Sequence, residues 1–284
     1  MKSRVHFLKR LYNTWIDALF PVKCLVCDCF FEPAGLSPVP PVSVRIRDGG
    51  NGRGHLRAGI EQLFSPFVCT ECAAGISLVN GPICQSCGIM FNSSEGDDRI
   101  CGECIAAPKQ FRAARAAAVY DQAMMNLIHC FKYNAKIQLA KPFSGLLLTT
   151  LNRYWKPQSF DVVMPVPLCG TRIRQRGFNQ AYLLICGWKK IAGQLAMEQP
   201  AARLSKDALI RNRTTLPQTG LGRRARMKNM ENAFSISERA SVGQKRILLV
   251  DDVYTTGATV NECARVLMDH GAQSVDVLTV ARAM

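Results

Sequence analysis

The sequence contains no uninterrupted apolar run of the roughly 20 residues needed to cross a bilayer. LLLTTL at 146–151 has only the length of a core segment. Nor does it open on an export-type leader. In MKSRVHFLKRLYNTWIDALF the residues Lys9, Arg10, Asn13 and Asp17 break up the continuous apolar stretch that a secretory signal requires. These two absences lead to the expectation of a cytoplasmic protein without a transmembrane segment, where paired cysteines more often bind metal than form disulfides. Acidic residues are scarce as well, 21 against 36 basic, for a formal charge of +15. That imbalance favours polyanionic partners, whether nucleic acid, nucleotides or phosphorylated sugars, without choosing among them. Eight thiolates holding two zinc ions would add −2 per site and still leave about +11. The 284 residues, 48% of them apolar, suffice for one substantial core or two smaller ones.

Cysteine is abundant: thirteen residues, eight of them in four C-x-x-C pairs within the first 104 residues. The pairs are Cys24/Cys27, Cys69/Cys72, Cys84/Cys87 and Cys101/Cys104. Ahead of them Phe7, Leu8, Leu11, Trp15, Leu19 and Phe20 recur near helical spacing. They predict an amphipathic helix, packed on the rest of the protein or lying on a membrane surface. Between the first two pairs PAGLSPVPPVSVRIRDGGNGRG has no sustained periodicity and reads as an exposed, mobile insertion over about 30–66.

After Pro108 the texture changes. AARAAAVY (113–120) reads as a strand and MMNLIHCFKY (124–133) as a helix. FDVVMPVP (160–167) is a short buried strand ended by prolines, and 178–195 is helical. KRILLVDDV (245–253) is the continuous apolar strand of a parallel sheet. ATVNECARVLMDHG (258–271) is a helix closed by a glycine, and SVDVLTVAR (274–282) is a last strand. This alternation predicts an α/β fold, a doubly wound parallel sheet over 113–284 behind a cysteine-rich module over 1–112.

Each C-x-x-C presents two thiolates from a tight turn, and two such turns complete a tetrahedral zinc site. Cys84/Cys87 and Cys101/Cys104, thirteen residues apart, have zinc-ribbon spacing. Cys24/Cys27 and Cys69/Cys72 form the other site across 41 residues, although the four turns also allow interleaved pairing, a single zinc, or redox use. Gly88 and Gly102 directly follow ligand positions, where a turn around a metal favours a positive φ. Four thiolates leave no open coordination position, so two structural zinc ions are expected, and a module with this little apolar content needs them to fold. Cys29, Cys130, Cys169, Cys186 and Cys263 stand outside the pairs and are expected to be buried thiols.

The most specific signal is ILLVDDVYTTGAT (247–259). An apolar strand delivers Asp251 and Asp252 to its carboxyl edge, and Thr255, Thr256, Gly257, Ala258 and Thr259 then lead into a helix. Backbone N–H groups of such a turn surround a phosphate, the threonine hydroxyls add donors, and Gly257 permits close approach. The two carboxylates suit vicinal ribose hydroxyls instead. The segment resembles the PRPP-binding motif of type I phosphoribosyltransferases, PRPP being 5-phosphoribosyl 1-pyrophosphate. Three further stretches resemble the ComF/GntX family, a group associated with competence and DNA uptake. They are MPVPLCGTRIRQRGFNQA at 164–181, IHCFKYNAK at 128–136 and RNRTTLPQTGLGRRARMKNMENAF at 211–234. The cysteine region is similar to that family's double zinc ribbon. Two positions depart: Cys169 stands where the family usually shows His, and Ala135 where it usually shows Gly.

The resemblance implies a PRPP site in which Asp251 and Asp252 position the ribose and Mg²⁺ accompanies the ligand. It makes 167–177 a pyrophosphate loop, in which an extended backbone would send Arg172, Arg174 and Arg176 to one side. The basic segment 203–230, with Arg211, Arg213, Arg223, Arg224, Arg226 and Lys228, would be a loop that closes over pyrophosphate, or a solvated charge run. Lys132 and Tyr133 either reach the site from a helix end or merely cap that helix. No general base and no nucleobase pocket are readable. Two functions follow: a transferase that displaces pyrophosphate from PRPP, or a non-catalytic module that holds single-stranded DNA or partner proteins of DNA processing, alongside a helicase.

Overall fold

The computed structural model describes residues 22–33, 61–93, 95–156, 158–195, 197–198, 200–213 and 223–284. The helix expected over 1–20, most of the insertion, and the 214–222 part of the basic segment lie outside the described residues. So do the side chains of Arg223, Arg224 and Arg226.

Two long strands, β8 (Arg246–Tyr254) and β9 (Ser274–Arg282), form the middle of a parallel sheet. Beside β9 lies β3 (Ala114–Val119), and beside β8 come β4 (Val162–Pro165) and β5 (Arg203–Leu204), for the order β3-β9-β8-β4-β5. Side chains alternate between faces, so each central strand feeds two cores. Leu248, Val250, Leu278 and Val280 enter the core of helices α3 (Gln122–Tyr133) and α4 (Ala140–Tyr154), with Leu127, Phe131, Phe143 and Leu147. Ile247, Leu249, Val275 and Val277 enter the opposite core with Val260, Cys263, Ala264 and Leu267 of α9 (Ala258–Asp269). Burial on both faces explains the unbroken apolar runs.

Local signals account for most helix ends. Asp121 caps α3 by accepting from Met124 N–H at 3.0 Å. After α9, Gly271 takes φ +82° and closes the helix as its sequence predicted. The stretch 178–195 is two helices, α6 (Gln180–Cys186) and α7 (Trp188–Gln194), where one was expected. Gly187 separates them, since glycine weakens a helix interior by about 1 kcal/mol relative to alanine. The larger correction concerns 170–176. This segment is a helix, α5 (Gly170–Arg176), not an extended loop, and Gly177 ends it at φ +79°.

The cysteine-rich module is built onto the sheet. Val79 N–H donates to Ala117 O at 3.0 Å, and Val119 N–H to Ser77 O at 2.8 Å. Ala114 N–H adds a bond to Ser86 O at 2.7 Å. These bonds cover the outer edge of β3, which would otherwise present unpaired backbone groups. Cys24, Val68 and Ile76 join one core, and Cys84, Cys87, Cys104 and Phe111 the other. Leu248→Ala, at the centre of the first core, is expected to lower stability by about 2–5 kcal/mol in urea unfolding, whereas Ile105→Ala on the exposed face of the module should change it by less than about 0.5 kcal/mol.

Candidate functional site

The eight paired cysteines form two tetrads in chain order. Cys24, Cys27, Cys69 and Cys72 are one and Cys84, Cys87, Cys101 and Cys104 the other, each with all sulfurs within 4.8 Å of one another. The interleaved pairing is therefore excluded. A tetrahedral ion with bonds of 2.3 Å sets its sulfurs about 3.8 Å apart. Cys27 and Cys69 are separated by 3.9 Å, and Cys87 and Cys101 by 3.8 Å. In both tetrads the first sulfur accepts two backbone N–H groups. Val26 and Cys69 point at Cys24 Sγ (3.5 and 3.4 Å), Cys87 and Cys101 at Cys84 Sγ (both 3.4 Å). Burial pushes the Cys84 thiol up, but these amide donors outweigh it and bring it down to about 6.

Gly88 adopts φ +72°, and a Cβ there would collide with the carbonyl of Ala114, so the second tetrad abuts β3 through a residue that must be glycine. Gly102, expected to do the same, instead opens the short helix α2 (Gly102–Ala106). Beside this tetrad the buried Arg282 donates from Nη2 to Cys87 Sγ at 3.4 Å, while its Nε and Nη1 find no partner. A buried guanidinium needs an anion, and four thiolates around a divalent ion supply a net −2. Both tetrads thus fit a tetrahedral divalent metal. Of the other cysteines, Cys169 and Cys263 are buried as expected. Cys130 is half-buried, and Cys29, just before a short strand, and Cys186, the last residue of α6, are exposed.

At the carboxyl end of β8 the chain turns sharply. Gly257 holds φ +75°, a Cβ there would strike the Tyr254 ring, and its carbonyl accepts from Asn261 N–H at 2.8 Å to begin α9. Thr255 and Thr256 are half-buried, and Thr256 Oγ1 accepts from Ala258 N–H at 3.4 Å. Thr259 Oγ1 donates to Met230 Sδ at 3.6 Å.

The two acids differ. Asp252 is 8% exposed and accepts from Lys132 Nζ at 2.7 Å. Lys132 therefore crosses from the end of α3 to the strand and does more than cap its helix. Asp251 accepts from Asp252 N–H at 2.9 Å. Its own burial, then the Asp252 charge, push it up to about 7, with Lys132 opposing. Near neutral pH the doublet carries less than two full charges, which lessens its repulsion of a phosphate. Beyond Lys132 in the chain, Tyr133 Oη accepts from Arg176 at 2.8 Å, and Arg176 also donates to Gln180 Oε1 at 3.1 Å. Arg211 ends β6 (Leu209–Arg211), paired antiparallel with β7 (Phe234–Ile236). Burial, then nearby Arg172, lower the Arg211 pKa, while Asp251 opposes them.

Helical geometry changes the reading of the arginine triplet. At about 100° per residue, Arg172 and Arg176 share a side of α5 and Arg174 lies nearly opposite, exposed. Cys169 precedes α5, its sulfur 3.1 Å from Thr171 Oγ1.

The Phosphoribosyl transferase domain family matches residues 198–284. DNA utilization protein YhgH of Escherichia coli strain CFT073 is 30% identical over 220 residues, spanning 76% of this chain and 91% of that protein. The chain belongs to the ComF/GntX family. Competence protein F of Haemophilus influenzae is 26% identical over 234 residues, 78% of this chain and 99% of its own length. Competence protein ComFC of Bacillus subtilis is 27% identical over 222 residues, 76% and 84% of the two chains. The parallel sheet and the domain match together make this a phosphoribosyltransferase-like ComF protein. Ala135, where the ComF family usually shows Gly, sits at φ +52°, which explains the usual glycine: this backbone conformation is one that a Cβ disfavours. No helix among the described residues is long and apolar enough to cross a membrane.

Two expectations follow from this geometry. Cys87→Ser should lose one metal equivalent by elemental analysis and unfold at lower urea, whereas Cys130→Ser should keep both equivalents. Asp251 titrates higher in the folded chain than its ordinary 3.8, so its ionisation on raising the pH disfavours the fold. Asp251→Asn should therefore stabilise the protein at pH 8 by about 1–2 kcal/mol and make little difference at pH 4.

Proposed function

We propose that this protein binds PRPP at the Asp251–Thr259 turn, carries structural zinc in both cysteine tetrads, and serves competence-type DNA uptake or use in the cytoplasm. In this reading residues 113–284 are the ligand-binding unit and 1–112 the metal-dependent module. The observation that carries the proposal is the doublet itself. Two acids stand at the edge of β8, one clamped by Lys132, directly before a glycine-centred turn into a helix.

The amides of Thr256 to Thr259 and the N-terminus of α9 take the 5′-phosphate, assisted by the hydroxyls of Thr255, Thr256 and Thr259. Asp251 and Asp252 accept hydrogen bonds from the vicinal ribose hydroxyls, with Mg²⁺ arriving on the ligand. Arg172 and Arg176, on the shared side of α5, meet the pyrophosphate, with Arg211 across from them. Arg174 belongs to the outer face and to longer-range attraction of phosphates. In a transfer reaction pyrophosphate would leave C1 of the ribose, and the acid doublet would offset the positive charge developing on the sugar. The names of the relatives, which speak of competence and DNA utilization, support the cellular setting.

Hydrogen bonds to charged groups contribute about 1.5–3 kcal/mol each. Asp251→Asn combined with Asp252→Asn is therefore expected to weaken PRPP at least tenfold in calorimetric titration with Mg²⁺. The same change removes two negative charges, so single-stranded DNA should bind as before or slightly more tightly. PRPP held equally by both proteins would mean that the ligand sits elsewhere. If the wild type never binds PRPP, the domain is a borrowed scaffold for single-stranded DNA or a partner.

A further inference from the structure

Arg282 closes the last strand of the sheet and is 5% exposed. Besides its contact with Cys87 Sγ, its guanidinium lies 4.1 Å from the centroid of the Tyr254 ring. The two residues are register partners across β8 and β9, and Ala283 N–H locks the pair by donating to Tyr254 O at 2.9 Å. Tyr254, 3% exposed, is held edge-on by Phe111 at 6.2 Å. Its hydroxyl end presses on Gly257, where any Cβ would collide with it. A continuous line of contacts thus runs from the second cysteine tetrad to the turn before α9: Cys87, Arg282, Tyr254, Gly257.

The charge distribution along this line is lopsided. Among the described residues Arg282 pairs with no carboxylate, and two of its three nitrogens are buried without a partner. Its counter-ion is the sulfur cluster. A desolvated cation needs an anion fixed beside it, and four thiolates around a divalent ion supply one held in place at Cys87 Sγ. The same guanidinium supplies the charged partner for the face of the Tyr254 ring. Loss of the metal would let Cys87 Sγ leave its place beside Arg282, and so loosen Arg282, then Tyr254, and with them the wall on which Gly257 rests.

We propose that Arg282 is a positioning residue for the Thr255–Thr259 turn, transmitting the metal-bound state of the Cys84–Cys87–Cys101–Cys104 site through Tyr254 to Gly257. The consequence for ligand affinity rests on the phosphoribosyl reading of that turn; the mechanical link does not.

The test pairs amide hydrogen exchange with PRPP calorimetry on the full chain: wild type, Arg282→Gln and Arg282→Lys. Arg282→Gln should speed exchange over residues 254–260 and weaken PRPP by about tenfold, within the range of coupling between linked sites. Exchange over 247–250, in the body of β8, should stay unchanged. Arg282→Lys keeps the charge and should recover part of both effects. Chelation of wild type should reproduce the faster exchange at 254–260 and add nothing further in Arg282→Gln. Tyr254→Leu breaks the line without stranding a charge and should give the same local loosening if Arg282→Gln fails to fold. Equal exchange at 254–260 in wild type and variants would overturn the proposal, and so would a loss spread evenly through 247–250. If 254–260 loosens but wild type binds no PRPP, the phosphoribosyl reading falls and the Arg282 line stands.

Discussion

The Lys132–Asp252 ion pair is the contact on which the site's geometry depends. It joins the last turn of α3 to the carboxyl end of the central strand, across 120 residues of sequence, with both side chains mostly buried. Removing one member of such a pair strands a charge in a poorly solvated place, so each holds the other at its post. Asp252 then fixes Asp251 through its own N–H, and the next residue of α3, Tyr133, receives Arg176. One ion pair thus ties the acid doublet to the end of α3, whose next residue meets an arginine of α5. It also makes two adjacent acids tolerable beside a phosphate, because Lys132 neutralises one and burial keeps the other partly protonated near neutral pH.

The cysteine module solves a different problem. A five-stranded parallel sheet has two edges, and the one at β3 would lie open without the backbone bonds from 77–79 and 86. The tetrads hold those segments in shape where apolar content is too low to do so, and their sulfurs pack into both cores of the domain. The cysteine tetrads, the edge coverage and the central strands are therefore parts of one construction. Separate metal and ligand modules, the picture that composition alone suggests, would not share a core in this way.

Much of this was legible because burial on both faces leaves a strong mark. The strands at 245–253 and 274–282 and the helix from Ala258 were readable to within a residue or so, and C-x-x-C spacing picked out the two cysteine tetrads that could hold a metal ion. What escaped had weak or misleading local signals. GTRIRQR has one apolar residue and no stripe, so α5 read as a loop, and its arginines were assigned to one side that a helix does not provide. Gly187 inside a long helical pattern gave notice of a break that periodicity overrode. Whether Lys132 reaches the site or only caps its helix stayed open in the sequence, because tertiary packing chooses the partner. Arg282 was taken as the end of a strand; a cation inside VLTVAR, buried on both faces, was the available signal of an anion nearby. Ala135 carried its meaning only once its positive φ was known.

The central claim is that the β8 turn and its acids hold a phosphoribosyl group. A structure of the full-length protein soaked with PRPP and Mg²⁺ tests it most directly. The account predicts the 5′-phosphate on the amides of Thr256 to Thr259, the ribose hydroxyls on Asp251 and Asp252, and the pyrophosphate toward Arg172 and Arg176. Electron density for PRPP away from this turn, or an acid doublet still bound only to Lys132 with the turn empty at saturating ligand, would contradict it.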